Sequence, residues 1–483
     1  MITLWPDGIS AKRRSSALVR LFIASALAVL AGRLAVLLVP GALTTDPDSY
    51  QHVARQLVTR GSFSLDGRPT AYRPPLYPLV LAGAQAFWGE RWRIGVAGLH
   101  LLMGWATALC AGILAGRVGG LRAAALAVLL AGFDPLLLHS SRLVMTETQS
   151  AFLAVLVVWL ASRVANRTSG PTWLALGLLL GACALTRPTF LLWPVAPGCL
   201  ALLFSVTGKG RETLHERMAS SSPEGPFPQQ KATVSPRRSW RASVEDALHR
   251  TGRPILWLGL GLVLALSPWG LRNLLVFGKV IIGTTHGGYT FYLANNEDFY
   301  QFLRNPEDRL VWDATEFNRR WETTVATHAG GNELVADQLA YRRAWQTIRG
   351  QPGMFLYACA YRLLQLWRPV PHQLDPHEPI SVQLARWAVG VFYLAEYLFG
   401  LLGLLVVISE ARPAKNPSAW SLAVWGLGLA IILSLAHTFY WTNIRMRAPL
   451  VPVLAVWAAV GIERFLQPSG WGEAKRFQGI YRR

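Results

Sequence analysis

Two acids, Asp46 and Asp48, stand in the stretch Asp46-Pro-Asp-Ser-Tyr50, directly after the first long apolar run. Carboxylates at a bilayer edge are costly unless they are well solvated or put to use. Further along comes Tyr72-Arg-Pro-Pro-Leu-Tyr-Pro78, which is cationic, rigid and aromatic. A carboxylate within hydrogen-bond reach of a hydroxyl can take its proton while a neighbouring carbon develops cationic character. The Arg73 guanidinium can grip a phosphate with two prongs and stabilise it as it leaves. The two prolines fix the backbone that presents it. Acid, Arg and the aromatics Tyr50, Tyr72 and Tyr77 beside lipid would suit the handling of a sugar held on a lipid phosphate. Asp48 also suits an N-cap for a helix starting at Ser49 or Tyr50. The Asp-x-Asp spacing offers oxygen ligands to a divalent cation, although two Asp alone are a weak metal signal.

Three further groups of residues carry the same chemistry. Ser140–Gln149 holds Arg142 and Glu147. Glu147 suits a second acid that holds an acceptor or orients Arg142, and equally an acid opening the next helix. Ser267–Asn273 is followed by Phe277-Gly-Lys and then Thr284–Thr290. There Arg272 and His286 are candidate phosphate or sugar contacts, and Gly287-Gly288 allow close approach of a ligand. Tyr440–Pro449 contains Arg445 and Arg447, and Arg33 lies deep in the first apolar run. An intramembrane Arg needs a polar cavity, or must snorkel.

The elements that position these residues are membrane helices. The chain has 483 residues, is 52% hydrophobic and only 15% charged, and contains 20 Trp. Apolar runs of about twenty residues span a bilayer as helices that satisfy their own backbone. Such runs are read at 18–39, 94–114, 121–138, 151–165, 173–185, 190–206, 255–277, 387–408, 421–437 and 448–462, about ten in all. Lys and Arg gather in alternate loops, which puts both termini in the cytoplasm. Arg445 and Arg447 then break the rule on the outer face, which invites an anionic partner.

The organisation that follows is a cytoplasmic N-terminus (1–17) and an N-terminal membrane part (18–206) with a first outer loop at 41–93. A basic cytoplasmic loop (207–253) has the composition of a loose linker. A helix (254–278), an outer region (279–386), C-terminal helices (387–466) and a basic tail (467–483) complete the chain. Gly353–Trp367 reads as an interfacial helix. The net charge of +20 is spread over loops, which suits anionic lipid headgroups and not nucleic acid. The four cysteines have no metal-like spacing and read as packing residues. No nucleotide loop, HExxH, CxxC pair or GxSxG elbow occurs.

The motifs together resemble the GT-C membrane glycosyltransferases, in the branch that includes protein O-mannosyltransferases and the bacterial lipid A aminoarabinose transferase. The resemblance rests on Asp46–Tyr50, Tyr72–Pro78, Met145-Thr-Glu147, Pro268–Asn273 with Gly278 and Gly287-Gly288, and Arg445–Pro449. It implies an all-α polytopic membrane protein of about ten or more helices, with outer loops forming a small cap. It also implies transfer of a hexosyl or pentosyl unit, with inversion, from a polyprenyl phosphate to a protein, lipid or glycan acceptor. Asp46 matches the base, with Asp48 its rival, and Glu147 the second acid. Arg73, Arg142, Arg272 and Arg445 are candidates for the donor phosphate, and Tyr50, Tyr72, Tyr77 and His286 for substrate contacts. No cofactor is assigned, and a divalent metal stays open. A bacterial inner membrane, a site facing the periplasm and undecaprenyl phosphate as the lipid are expectations of the resemblance. A transporter or flippase without transfer chemistry is the alternative. It would show polar or broken helices at mid-membrane in both halves. A structural envelope subunit is a third.

Overall fold

The computed structural model describes residues 7–164, 169–200, 240–305, 311–373, 375, 377–411 and 415–467. In chain order the helices are α1 (Asp7–Leu38), α2 (Tyr50–Arg60), α3 (Leu76–Trp88), α4 (Trp92–Gly132), α5 (Pro135–Ser141), α6 (Glu147–Val164) and α7 (Gly170–Thr186). Then follow α8 (Trp240–Phe277), α9 (Gly287–Ala294), α10 (Glu297–Arg304), α11 (Thr315–Ala329), α12 (Glu333–Gly350), α13 (Pro352–Trp367), α14 (Ile380–Glu410), α15 (Pro417–Ser421), α16 (Leu427–Phe439) and α17 (Val451–Leu466). Among the described residues the only sheet is the hairpin β1 (Ser64–Leu65) and β2 (Arg68–Pro69) in the first outer loop.

Among the described residues, seven helical stretches are long and apolar enough to cross a membrane, and Gly170–Thr186 and Pro188–Leu200 are shorter apolar helices. One of the seven, Leu76–Gly132, folds back on itself. Gly120 sits at φ 83°, ψ −176°. A Cβ on Gly112 would meet the Val128 side chain and the Ala124 carbonyl. The two halves of α4 are therefore antiparallel arms, matching the spans expected at 94–114 and 121–138. The helix expected from 255 begins earlier, at Trp240, and so takes in the end of the predicted basic loop. Residues 207–239 of that loop, the end of the span expected at 190–206 and the tail from 468 lie outside the described residues.

The membrane core is made of Ala, Val and Leu from α4, α6, α7 and the last helices, with Phe190 and Trp193 fully buried. Small residues let backbones approach closely. At the crossing of α14 and α17, a Cβ on Gly403 would strike the Trp457 carbonyl, and one on Gly461 the Phe399 carbonyl. The cysteines form no disulfide; Cys183 and Cys359 are buried, whereas Cys199 is exposed instead of packed.

Helices α9–α13 form the outer cap around Leu293, Phe299, Tyr300, Trp312 and Phe317. Glu333 fastens this cap to the first outer loop. Its carboxylate accepts hydrogen bonds from Thr70 Oγ1 and the Ala71 N–H, both at 2.7 Å. One turn further, Asp337 accepts the Gly288 N–H at 2.6 Å. A side chain at Gly288 would collide with the Asp337 carbonyl, so the second residue of the Gly287-Gly288 pair serves close packing.

Candidate active site

The first outer loop folds around its own acids. Asp46 accepts the Tyr50 N–H at 3.0 Å and the Gln51 N–H at 2.7 Å, filling donors that the start of α2 leaves open. The cap expected of Asp48 is thus supplied by Asp46. The reason is Ser49, whose left-handed backbone (φ 59°) turns the chain so that the earlier acid lies over the helix end. Asp46 is half-buried, and burial raises its pKa. The two N–H donors and Arg73 pull it back, while the Asp48 charge adds to the rise.

Asp48 turns to Arg73. The guanidinium donates through Nη2 to Asp48 Oδ1 at 3.1 Å and through Nε to the Asp48 carbonyl at 2.8 Å. It lies over the rings of Tyr50 and Tyr72, 5.6 and 5.1 Å from their centroids. Tyr72 meets His286 edge to face at 4.2 Å, and His286 stacks on Tyr289. Burial and the Arg73 charge hold His286 well below the ordinary imidazole range, so it is neutral at pH 7. Its Nδ1 is buried without a partner.

Glu147 opens α6 and is fully buried. Backbone bonds from Leu43 N to the Arg142 carbonyl and from Val144 N to the Thr45 carbonyl lash its loop to the Asp46 loop. Its partner is Arg187, at the end of α7, with Nη2 at 3.0 Å from Oε1. Arg187 also donates through Nε to Thr146 Oγ1 at 3.1 Å. Tyr50 lies within electrostatic reach of both ion pairs. Burial pushes its phenol up to about 12; Arg73 and Arg187 lower it, Asp48 and Glu147 raise it. Two acid–cation pairs therefore act on one tyrosine, and the Asp46 carboxylate accepts that tyrosine's N–H.

The other candidates fall elsewhere. Tyr77 is fully buried and bonds His100 at 3.1 Å; His100 in turn bonds the Ser141 carbonyl, so Tyr77 braces α3 against α4. Arg142 donates to the Pro40 carbonyl at 3.0 Å. Arg272 spends its donors on the carbonyls of Thr70 and Phe63, at 2.8 and 2.7 Å, and on Asn273. Both hold the loops that frame the site. Arg445 differs: no hydrogen bond or ion pair of its guanidinium is found among the described residues. It lies within electrostatic reach of His139, as do Arg142 and Glu147. No group of three His, Cys, Asp or Glu that could hold a metal occurs among the described residues.

Arg187 escaped the reading of the sequence. Its signal was available: it follows the apolar run at 173–185 on the outer side, breaking the charge rule as Arg445 does.

Residues 72–221 match the sequence model of the dolichyl-phosphate-mannose-protein mannosyltransferase family. No curated protein matches the chain. Among solved structures, the apo oligosaccharyltransferase of Archaeoglobus fulgidus is similar over 96% of this chain and 52% of that one, at 14% identity and a TM-score of 0.50. The AglB oligosaccharyltransferase of the same organism, in complex with an inhibitory peptide and a dolichol-phosphate, gives 15% identity, 97% and 52% coverage and 0.48. ArnT from Cupriavidus metallidurans, bound to undecaprenyl phosphate, gives 15%, 94% and 79%, and 0.40. The chain spans about half the length of the archaeal structures. The likeness to the apo archaeal enzyme shows a shared polytopic helical membrane fold, and the chain is an integral membrane protein.

Proposed function

We propose that the protein is a glycosyltransferase that moves a sugar from a polyprenyl phosphate to an acceptor hydroxyl on the outer face of the membrane. Asp46 takes the hydroxyl proton. The acceptor oxygen forms a bond to the anomeric carbon from the side opposite the phosphate. The sugar–phosphate bond breaks, its electron pair leaves on the lipid phosphate, and the configuration inverts. The observation that carries this reading is the pair of ion pairs around Tyr50, Asp48–Arg73 and Glu147–Arg187, next to a half-buried Asp46.

Asp46 is better suited than Asp48 to be the base. Its carboxylate is oriented by two backbone donors and made more basic by burial. Asp48 is occupied by Arg73. Arg445, whose guanidinium has no hydrogen bond or ion pair among the described residues, is the cation assigned to the donor phosphate. Arg73 and Arg187 hold the acids and add positive field. Support also comes from the matched family, whose model covers Arg73, Glu147 and Arg187. A bacterial inner membrane and undecaprenyl phosphate fit this reading.

The test is release of free lipid phosphate in reconstituted membranes, with a panel of polyprenyl-phosphate sugars and a crude envelope acceptor. Release that depends on Asp46 supports the transferase. Normal turnover by Asp46→Asn would move the base to Asp48 or Glu147. A folded protein that releases nothing but moves lipid between leaflets would replace this reading with a flippase.

A further inference from the structure

A second set of charges lies inside the bundle, and the proposed reaction does not use it. Arg447 is 1% exposed, one step beyond Met446, whose sulfur is 4.0 Å from Arg187 Nη1. Arg447 faces away from the site. Its Nη1 donates to the carbonyls of Leu366 and Arg368, at 3.1 and 2.6 Å, where α13 ends and carbonyls lack helical partners. Its guanidinium lies 4.2 Å over the Tyr393 ring of α14. The Tyr393 hydroxyl donates to Asp134 Oδ2 at 3.1 Å and accepts the Leu136 N–H at 3.2 Å. Asp134 caps α5 through the Leu137 N–H. Arg33 of α1, also buried, donates to the Ala131 carbonyl, so it does not snorkel. Glu396, one turn beyond Tyr393, is 3% exposed with both oxygens unpartnered.

Stability does not account for this arrangement. Arg447 Nε and Nη2 are also unpartnered. Orphaned buried polar groups are destabilising, and apolar side chains of similar volume are often no worse in such places. What the cluster does is fix a backbone. In the turn Ile444–Leu450, Met446 meets Arg187 and Arg445 shares the electrostatic surroundings of His139 with Glu147, while Arg447 bonds the end of α13.

We propose that Arg447 is a positioning residue that sets the place of Arg445 toward the donor phosphate. It does so by pinning the Ile444–Leu450 turn to the end of α13 and to Tyr393. A Lys cannot both reach two carbonyls and stack on the ring. The proposal rests on the transferase reading for its ligand, so its test reads binding as well as turnover.

Full-length protein in nanodiscs is titrated with decaprenyl phosphate, and release of lipid phosphate is followed in parallel. Arg447→Lys is expected to weaken decaprenyl phosphate binding about tenfold and to raise donor KM more than it lowers kcat. Arg445→Ala gives a similar loss, and the double variant is no worse than Arg445→Ala alone. Losses that multiply in the double variant, or unchanged binding by Arg447→Lys, would overturn the proposal. Should Arg447→Lys fail to fold, Tyr393→Phe keeps the ring and removes the links to Asp134 and Leu136. It should raise donor KM in the same direction, and wild-type binding by it sinks the idea. A wild type that binds the lipid phosphate through Arg445 but turns over no donor removes the transferase reading, while the coupling is still read from binding. Binding indifferent to Arg445 removes the positioning role.

Discussion

Two charged regions of this membrane protein use the same side chains to different ends. Around Tyr50, Asp48 and Arg73 keep 28% and 16% of their side chains exposed, and Asp46 is half-buried. Around Tyr393, the charged groups of Arg447, Asp134 and Glu396 are sealed from solvent. The outer region stays partly open, as the proposed transfer requires. The inner one is packed among helices, and its bonds to their carbonyls and hydroxyls hold those helices at fixed positions. Glu147–Arg187 lies between the two: its acid is sealed, while its Arg keeps a small opening. Exposure, more than charge, separates the groups assigned to the proposed reaction from those that hold the helices.

The largest effect that could break this contrast is loss of the proposed base. Asp46→Asn should lower turnover by about 10²–10⁴-fold with little change in folding, measured as lipid phosphate release against melting temperature. A larger loss in Asp48→Asn than in Asp46→Asn would reverse the two roles. Next in size is Arg187→Ala. It strands a buried carboxylate and should cost about 3–5 kcal/mol of stability, seen by thermal melting in detergent. Arg73→Ala breaks a more exposed pair, and its stability loss should be only about 0.2–1 kcal/mol while donor KM rises.

A pH profile sharpens the same comparison. Burial raises the Asp46 pKa, so the carboxylate takes up its proton at a higher pH than an ordinary Asp at about 3.9. Activity should therefore fall, as pH is lowered, on a limb displaced above that value. The stability sign is opposite: the contribution of this raised group is full below the unfolded pKa and lost as pH rises through the folded one. His286 is already neutral, so His286→Gln should leave the acid limb in place. The smallest effect belongs to Arg142→Ala. Its one bond is to the Pro40 carbonyl at the surface, and stability should change by about 0.5 kcal/mol or less.

Much of the fold was legible because apolar length is a local property: the arms of α4 can be counted from Leu and Ala alone. The loop acids were legible too, because carboxylates beside a membrane stand out in composition. What the chain does with its arginines was not. Arg272 and Arg142 look like phosphate ligands by type, yet their donors go to the carbonyls of Thr70, Phe63 and Pro40, which come from distant parts of the sequence. Asp134 and Glu396 sit in apolar runs that read as plain spans, and only the packing of α5 against α14 joins Asp134 to Tyr393. Whether Asp46 or Asp48 caps α2 depends on the left-handed turn at Ser49, which residue type alone does not announce.

The Glu147–Arg187 pair has a consequence for how the protein is made. One partner starts α6 and the other ends α7, so both come from a single helical hairpin, adjacent in order of synthesis. As that hairpin enters the bilayer, its acid meets its own counter-ion before the remaining spans have emerged. The two charges can thus cross the bilayer as a neutral unit, sparing the insertion machinery a lone carboxylate.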